Sequence, residues 1–192
     1  MGIQVQQEGQ KAIDILVRAF HDDPVMLWMS GHPDFLRTFF DITLPVFLPH
    51  GLTYIEAQGR GAAAWLGPHQ KLQWPVTAGN LWRMFRVCGV RGFFRFGRGG
   101  LATARFHPGE PHYYLFLIGA LPECKGQGVG SALIAHVLRK CDEENLPAYL
   151  ENSKQDNLAF YRGHGFEVVD QIRFARNAPP VWLMWREPRP QG

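Results

Sequence analysis

The apolar positions of the first half of the chain predict two helices and a hairpin. Over Gln10–Phe20 the apolar residues return every three to four positions, which predicts an amphipathic helix. A second helical region is predicted over Phe35–Phe47. Two short apolar segments, Leu52–Ala57 and Gly61–Leu66, flank a Gln-Gly-Arg turn and predict a β-hairpin.

Between Gln73 and Arg105 the chain interleaves arginines with aromatic residues, and this pattern has two interpretations. Such a mixture can bind RNA or a membrane surface. However, Leu81, Phe85, Cys88 and Gly92 fall at helical spacing, which favours a helix packed over the core with its arginines reaching into water. We therefore predict an amphipathic helix here, with neither nucleic acid nor a membrane as partner.

The second half alternates strand-like and helix-like patterns. Tyr113–Leu121 is the longest strongly apolar run, and its length suits a buried strand rather than a membrane span. An apolar i, i+4 row predicts a helix over Val129–Glu143. Further predicted elements are a strand at Ala148–Glu151, a short helix at Asn157–Gly163, and strands at Phe166–Val169, Gln171–Arg176 and Val181–Arg186, with a loose tail from Pro188. This order predicts the α/β (α+β mixed) class, a mixed sheet flanked by helices, in a single domain over residues 1–192.

Composition narrows the class of protein further. The 192 residues are 46% hydrophobic with a net charge of +3, which fits a packed globule and an anionic cofactor but does not require nucleic acid. Three cysteines, at 88, 124 and 141, show no metal-type spacing, so we expect reduced thiols and no metal. The first ten residues lack the apolar core of a secretory signal, and we expect a cytoplasmic protein, monomeric or homodimeric.

A glycine-rich loop joins the buried strand to the helix that follows it. Its residues are Lys125, Gly126, Gln127, Gly128, Val129, Gly130 and Ser131. The first amides of a helix lack intrahelical partners, and glycines let such amides close around an anion. The P-loop and dinucleotide patterns both fail, the first for want of Gly-Lys-Ser/Thr and the second at its third glycine. The loop therefore predicts a pyrophosphate cradle, or else a turn that only reverses the chain.

Two stretches resemble the signatures of a known superfamily. Lys125, Gly128 and Gly130 match Gln/Arg-x-x-Gly-x-Gly/Ala, with lysine as a conservative departure at the first place. The run Asn157–Phe166 carries an Asn, a Tyr and a Gly-Phe at the spacing of a second signature. Together they resemble the GNAT superfamily of acyl-CoA N-acetyltransferases, nearest to its puromycin-acetyltransferase-like branch. The resemblance is strong over Tyr113–Phe166 and faint before it.

This resemblance implies a fold and a donor site. The central mixed sheet would splay between the strand ending at Leu121 and the strand near Leu150, and acetyl-CoA would enter the splay. Main-chain groups of Ile118, Gly119 and Ala120 would pair with the pantetheine arm. Gly119 predicts a bulge that frees these groups from the ladder, or else is a simple packing glycine. The side chain of Asn157 would bond the pantetheine or the loop, although it could equally cap a helix.

Two residues are the leading candidates for proton transfer. Tyr161 lies one helical turn after Asn157, and its phenol is protonated at neutral pH, so it could protonate the departing thiolate. The alternative is a packing tyrosine. Glu151 ends the strand beside the splay and is the first candidate for the general base, against the alternative of a surface carboxylate.

Other titratable residues rank lower. His112 begins the buried strand and is the second candidate base, although an ordinary edge histidine is the more economical interpretation. Asp22 and Asp23 could hold a cationic amine, but a solvated turn is preferred. Cys124 could form an acyl-enzyme, but the sequence fixes no activating base beside it.

The sequence thus favours direct acetyl transfer from acetyl-CoA to a primary amine of a small molecule. A catalytically silent acyl-CoA-binding or sensing module is the alternative from a second class. An RNA-binding protein that uses the arginine-aromatic stretch is a third hypothesis.

Overall fold

The computed structural model describes residues 1–5 and 9–189. Within these residues it contains a seven-stranded mixed sheet of order β1-β2-β3-β4-β5-β7-β6. The strands are β1 Ile3–Val5, β2 Thr53–Glu56, β3 Gly61–Leu66, β4 Tyr113–Ala120, β5 Ala148–Asn152, β6 Glu167–Arg173 and β7 Pro180–Arg186. The α-helices are α1 Gln10–Ala19, α2 Pro24–Met29, α3 Phe35–Thr43, α4 Ala78–Phe106, α5 Val129–Glu143 and α6 Leu158–Gly163. The predicted class, a mixed sheet flanked by helices, is confirmed.

The central strands β4 and β5 run parallel but stay together over only part of their length. The register pairs Tyr113, Tyr114 and Leu115 of β4 with successive residues of β5 that end at Leu150. Beyond Leu115 the described partners of β4 lie on β3 alone. The two strands therefore diverge at their carboxyl ends, where ligands bind in open α/β sheets.

A β-bulge in β4 changes which residues face each side of the sheet. Ala64 of β3 opposes Leu117 and the next residue of β3 opposes Leu115, so Phe116 is the extra residue. Phe116 and Leu117 consequently belong to the same hydrophobic cluster, which also includes residues of α1 and α3. The bulge predicted at Gly119 is wrong, because Gly119 is paired in the ladder with Ala62.

Close packing against α1 explains the glycine at position 119 instead. A Cβ there would lie 2.5 Å from the Cβ of Ala19, at the end of α1. Any larger residue would therefore push α1 away from the sheet. The glycine brings the end of α1 to the point at which β4 and β5 diverge.

Several boundaries differ from the sequence prediction for local reasons. The second predicted helix ends at Thr43 and continues as two short 3₁₀ turns, Leu44–Val46 and Leu48–His50, because each contains a proline that cannot donate to a helical ladder. The two strands predicted after Phe166 form one strand, β6, with an irregularity between Val168 and Asp170. The strand β1 and the helix α2 were not predicted from the sequence.

Helix α4 crosses the face of the sheet that carries α1–α3, and it is kinked. Gly89 has φ 60° and ψ −176°, outside helical geometry. The predicted helix is confirmed, but its predicted stripe is only partly right, since Leu81 and Phe85 are 42% and 37% exposed while Gly92 is buried. In residues 1–5 and 9–189, no helix combines the length and apolarity that crossing a bilayer requires.

Candidate active site

Two cavities meet where β4 and β5 diverge. The first, about 80 Å³, is the splay cavity, and its own walls include Ile118, Leu150, Asn152, Asn157 and Tyr161. The second, about 120 Å³, is the apolar cavity, and its own walls include Met29, Phe39, Trp74, Phe96 and Phe174. Both are also lined by Phe20, Asp23, Phe116, Glu151 and Ser153. These five shared residues form the junction between the cavities.

Glu151 is the titratable group at this junction that is best suited to proton transfer. The hydroxyl of Tyr114 donates to its Oε2 at 2.8 Å, and the hydroxyl of Tyr149 donates to its Oε1 at 3.2 Å. Burial raises the pKa of Glu151 to about 7, while the two hydrogen bonds act in the opposite direction. A carboxyl that is half ionised near neutrality can accept a proton and release it again, which suits a general base.

Tyr161 reaches the splay cavity from α6. Its ring packs against Phe160 and Phe166, with centroid distances of 5.1 and 6.1 Å, so packing fixes its orientation. Burial, together with the negative charge of Asp23, raises the pKa of its hydroxyl. The phenol therefore stays protonated across the neutral range and can act as a proton donor.

Asp23 is more deeply involved in the structure than the sequence suggested. The expected solvated turn is wrong for Asp23, which is only 3% exposed, because its carboxylate caps the short helix α2. Its Oδ1 accepts hydrogen bonds from the amides of Val25 at 3.0 Å and Met26 at 2.9 Å, and Ser153 donates to its Oδ2. Burial raises its pKa. The signal in the sequence was the pair Asp23-Pro24, an N-cap followed by proline at the first helical position.

The neighbouring Asp22 does lie in the exposed turn that was expected. Its carboxylate pairs with the ammonium of Lys154, which lowers its pKa. Lys154 itself lines the splay cavity. The two adjacent aspartates therefore have different surroundings, one facing the junction and one facing solvent.

The glycine-rich loop has the geometry of an anion cradle. Gly126 and Gly128 have φ values of 78° and 77°, and Gly128 stands at the N-cap of α5 without a side-chain cap. The amides of Val129, Gly130 and Ser131 precede the first i−4 bond of the helix, which runs from Ala132 to Gly128. They are therefore available to an anion at the positive end of the helix dipole.

The side chains of the loop make local contacts or face solvent. Lys125 and Gln127 are exposed, and the Gln127 amide donates to the carbonyl of Glu123 at 3.0 Å. Ser131 Oγ lies 3.2 Å from His164 Nε2. Among these residues, only Lys125 brings positive charge, so recognition of an anion by the loop would rest chiefly on backbone amides.

An extended path connects this loop to the splay cavity. Ile118, Gly119 and Ala120 lie on the part of β4 that is not paired with β5. Asn157 lines the cavity, and its side chain makes no capping hydrogen bond, so the capping alternative is wrong. A free strand edge leading to an amide cradle fits an elongated ligand with amides at one end and phosphates at the other, as acyl-CoA is.

The structure does not bring His112 or Cys124 to this site, and neither residue lines either cavity. His112 is buried near the other end of β4, with its Nδ1 2.6 Å from the carbonyl oxygen of Glu110 and its ring 5.5 Å from that of Tyr149. Burial lowers its pKa. Cys124 is buried in the packing around α5.

Comparison with known proteins gives consistent results. Residues 88–166 match the family model described as the acetyltransferase (GNAT) family. The chain is 27% identical to an uncharacterised N-acetyltransferase of Schizosaccharomyces pombe, over 97% of this chain and 82% of that protein.

Two solved structures share the fold over nearly their whole length. A Corynebacterium glutamicum structure described as histone acetyltransferase HPA2 and related acetyltransferase has a TM-score of 0.71 at 24% identity, covering 98% of this chain and 97% of the other. The C-terminal condensation domain of Ebony, solved with beta-alanyl-dopamine, has a TM-score of 0.63 at 14% identity, covering 97% and 99%.

Proposed function

We propose that this chain is an acetyltransferase of the GNAT family, which its matches to the family model and to an N-acetyltransferase support, and that it transfers the acetyl group of acetyl-CoA directly to the primary amine of a small molecule. The observation that carries the proposal is the meeting of Glu151 and Tyr161 at one cavity, at the divergence of β4 and β5. One group is tuned to accept a proton near neutrality and the other to retain one. A group of each kind accelerates acyl transfer from a thioester to an amine.

The donor would lie along the extended path described above. Backbone amides of Val129, Gly130 and Ser131 would hold the pyrophosphate, and the free edge of β4 from Ile118 to Ala120 would hold the pantetheine arm. Bound acetyl-CoA supplies the acetyl group as a thioester. Asn157, whose side chain is not used for capping, would add a polar contact near the sulfur end of the path.

Glu151 and Tyr161 would carry out the two proton transfers of the reaction. The neutral amine nitrogen forms a bond to the carbonyl carbon as the bond from that carbon to sulfur breaks. Glu151 takes the proton that the nitrogen gives up, and Tyr161 gives its proton to the departing sulfur. The products are an amide and a free thiol, and Tyr161 recovers its proton from solvent or from Glu151.

An acetylation screen tests this function. Purified protein is incubated with acetyl-CoA and a panel of primary amines, thiol release is followed, and products are identified by mass spectrometry. We expect a product heavier by one acetyl group, and its loss in the Glu151→Gln/Tyr161→Phe double variant. Tight CoA binding without any acetylated product would instead support the catalytically silent binding module.

A further inference from the structure

Six aromatic side chains line the apolar cavity. Trp74 contacts Phe96 and Phe116 edge to face, with centroid distances of 5.8 and 6.1 Å, and Phe96 meets Phe39 in the same way at 6.0 Å. Phe174 completes this part of the lining. Rings held by one another in this way form a rigid surface that favours another flat apolar group.

The charged groups of this cavity are all acidic. Among the described residues that line it, Asp23 and Glu151 carry the formal charges, and no lysine or arginine is included. Both carboxyls stand at the junction with the splay cavity. The apolar cavity therefore has one end suited to a cation and walls suited to an apolar body.

Uncharged polar groups are few around this space. The hydroxyl-bearing residues of the lining are Thr103 and Ser153, and Ser153 already donates to Asp23. A peptide or a polyhydroxylated amine would bring many donors and acceptors into the cavity, and each one left unpaired would cost free energy. Such acceptors are disfavoured on chemical grounds.

The volume of the cavity limits the size of the group that it can hold. Its volume of about 120 Å³ is close to the ~150 Å³ of a protein cavity that binds benzene. One aromatic ring, or an apolar group of similar bulk, is therefore the natural occupant.

We propose that the apolar cavity is the acceptor site and that the acceptor is a primary amine joined by a short alkyl chain to a single aromatic ring. This inference rests on the proposed function and names its substrate class. The ring lies against Trp74, Phe96 and Phe116, and the ammonium lies beside Asp23. The ammonium gives one proton to the Glu151 carboxylate, which passes it to solvent and is ionised again before acyl transfer. The neutral nitrogen then faces the splay cavity and its thioester.

Three probes separate the two parts of such an acceptor. They are 2-phenylethylamine, ethylamine, which lacks the ring, and 2-phenylethanol, which lacks the amine. We expect 2-phenylethylamine to bind roughly 10- to 100-fold more tightly than ethylamine, because the ring leaves water for an apolar wall. Titration calorimetry measures each affinity with and without CoA, and acetylation of the two amines gives kcat/KM.

Helix α4 offers a matched pair of variants for the walls. Gly100 lines the cavity, whereas Gly97 on the same helix does not, and an added Cβ at either position meets no atom within 4 Å. We expect Gly100→Phe to weaken 2-phenylethylamine at least tenfold while CoA affinity is unchanged. Gly97→Phe, which carries the same ring on the exposed side of the helix, should change neither affinity.

The variant Asp23→Asn tests the charged end. Asparagine is also a good N-cap, so α2 should keep its cap while the negative charge is lost. We expect weaker binding of 2-phenylethylamine and little change for 2-phenylethanol.

The outcomes distinguish this inference from the function on which it rests. Equal kcat/KM for ethylamine and 2-phenylethylamine would overturn the acceptor class while acetylation itself stands. Preferred acetylation of a peptide amino terminus would do the same. Failure of CoA to bind at all would instead remove the proposed function.

Discussion

The two cavities differ in how the chain builds them. The walls of the splay cavity come mainly from the compact stretch between Leu115 and Tyr161, and the proposed donor path uses strand edges and helix amides. The walls of the apolar cavity come from segments spread between Phe20 and Val181, and they consist mainly of side chains. Backbone recognition tolerates sequence change, whereas side-chain walls change with each substitution. A fold of this kind can therefore keep one acyl donor while its acceptor varies.

The largest expected effect is a loss of kcat on substitution of Tyr161, which is proposed to act in acetyl transfer rather than in binding either substrate. Tyr161→Phe keeps the ring packed against Phe160 and Phe166 and removes only the hydroxyl. We expect kcat to fall by something like 10²–10⁴-fold, the usual contribution of a general acid, with CoA and amine affinities retained. Steady-state kinetics and calorimetry on the same preparation measure both.

Single-turnover kinetics measure the chemical step even where product release limits kcat. If kcat of the variant is near normal, the single-turnover rate shows whether chemistry was hidden behind release. A normal single-turnover rate would exclude Tyr161 as the acid. Phe160→Leu, on the same helix and half-buried, serves as a control for disturbed packing.

The next largest effect is a loss of CoA affinity that leaves the affinity for the amine unchanged. Gly128→Val places a β-branched residue at φ 77°, where L side chains are strained, at the mouth of the anion cradle. We expect CoA affinity to fall about tenfold or more, while 2-phenylethylamine binding in the apolar cavity is unchanged.

The matched control for this variant is Gly51→Val. Gly51 has φ 67°, so a side chain there is strained as it is at Gly128, but Gly51 follows the 3₁₀ turn Leu48–His50 and lies outside the glycine-rich loop. Its variant should lose stability without losing CoA affinity. Equal CoA affinities for Gly128→Val and the unmodified protein would place the pyrophosphate elsewhere.

The same contrast explains what the sequence could reveal. The strand Tyr113–Leu121, the loop after it and the helix Val129–Glu143 were predicted nearly to the residue, because strong local patterns fix them. The donor path follows from those elements. The apolar cavity depends on Trp74, Phe96 and Phe174, which are far apart along the chain and carry no shared pattern.

The pKa of Glu151 and the burial of Asp23 depend on tertiary structure that the local sequence does not specify. The position of Glu151 beside the splay was predicted, but its tuning by Tyr114 and Tyr149 depends on cross-strand geometry. The bulge at Phe116, which turns two adjacent side chains to one face, has no glycine or proline to mark it. Asp23 could have been ranked higher from its cap signature, but its burial comes from tertiary packing.

The smallest effect tests the tuning of Glu151 at the junction that both cavities share. Donation by Tyr114 stabilises the ionised carboxylate and so holds down a pKa that burial has raised to about 7. Tyr114→Phe should therefore raise the pKa of Glu151 further and move the rising limb of kcat/KM to higher pH. At pH 6 we expect the rate to fall several-fold to tenfold, and at pH 9, where the carboxyl is ionised in both proteins, to match the unmodified protein.

The control for this effect is Tyr149→Phe, which removes the weaker of the two hydrogen bonds to Glu151. Tyr149 donates at 3.2 Å rather than 2.8 Å, so Tyr149→Phe should shift the same limb in the same direction by a smaller amount. One amine is used throughout, so that its own titration cancels from the ratio of variant to unmodified enzyme. A ratio that stays constant from pH 6 to pH 9 would mean that Glu151 does not set the limb, and would move the role of base to an ordered water in the splay cavity.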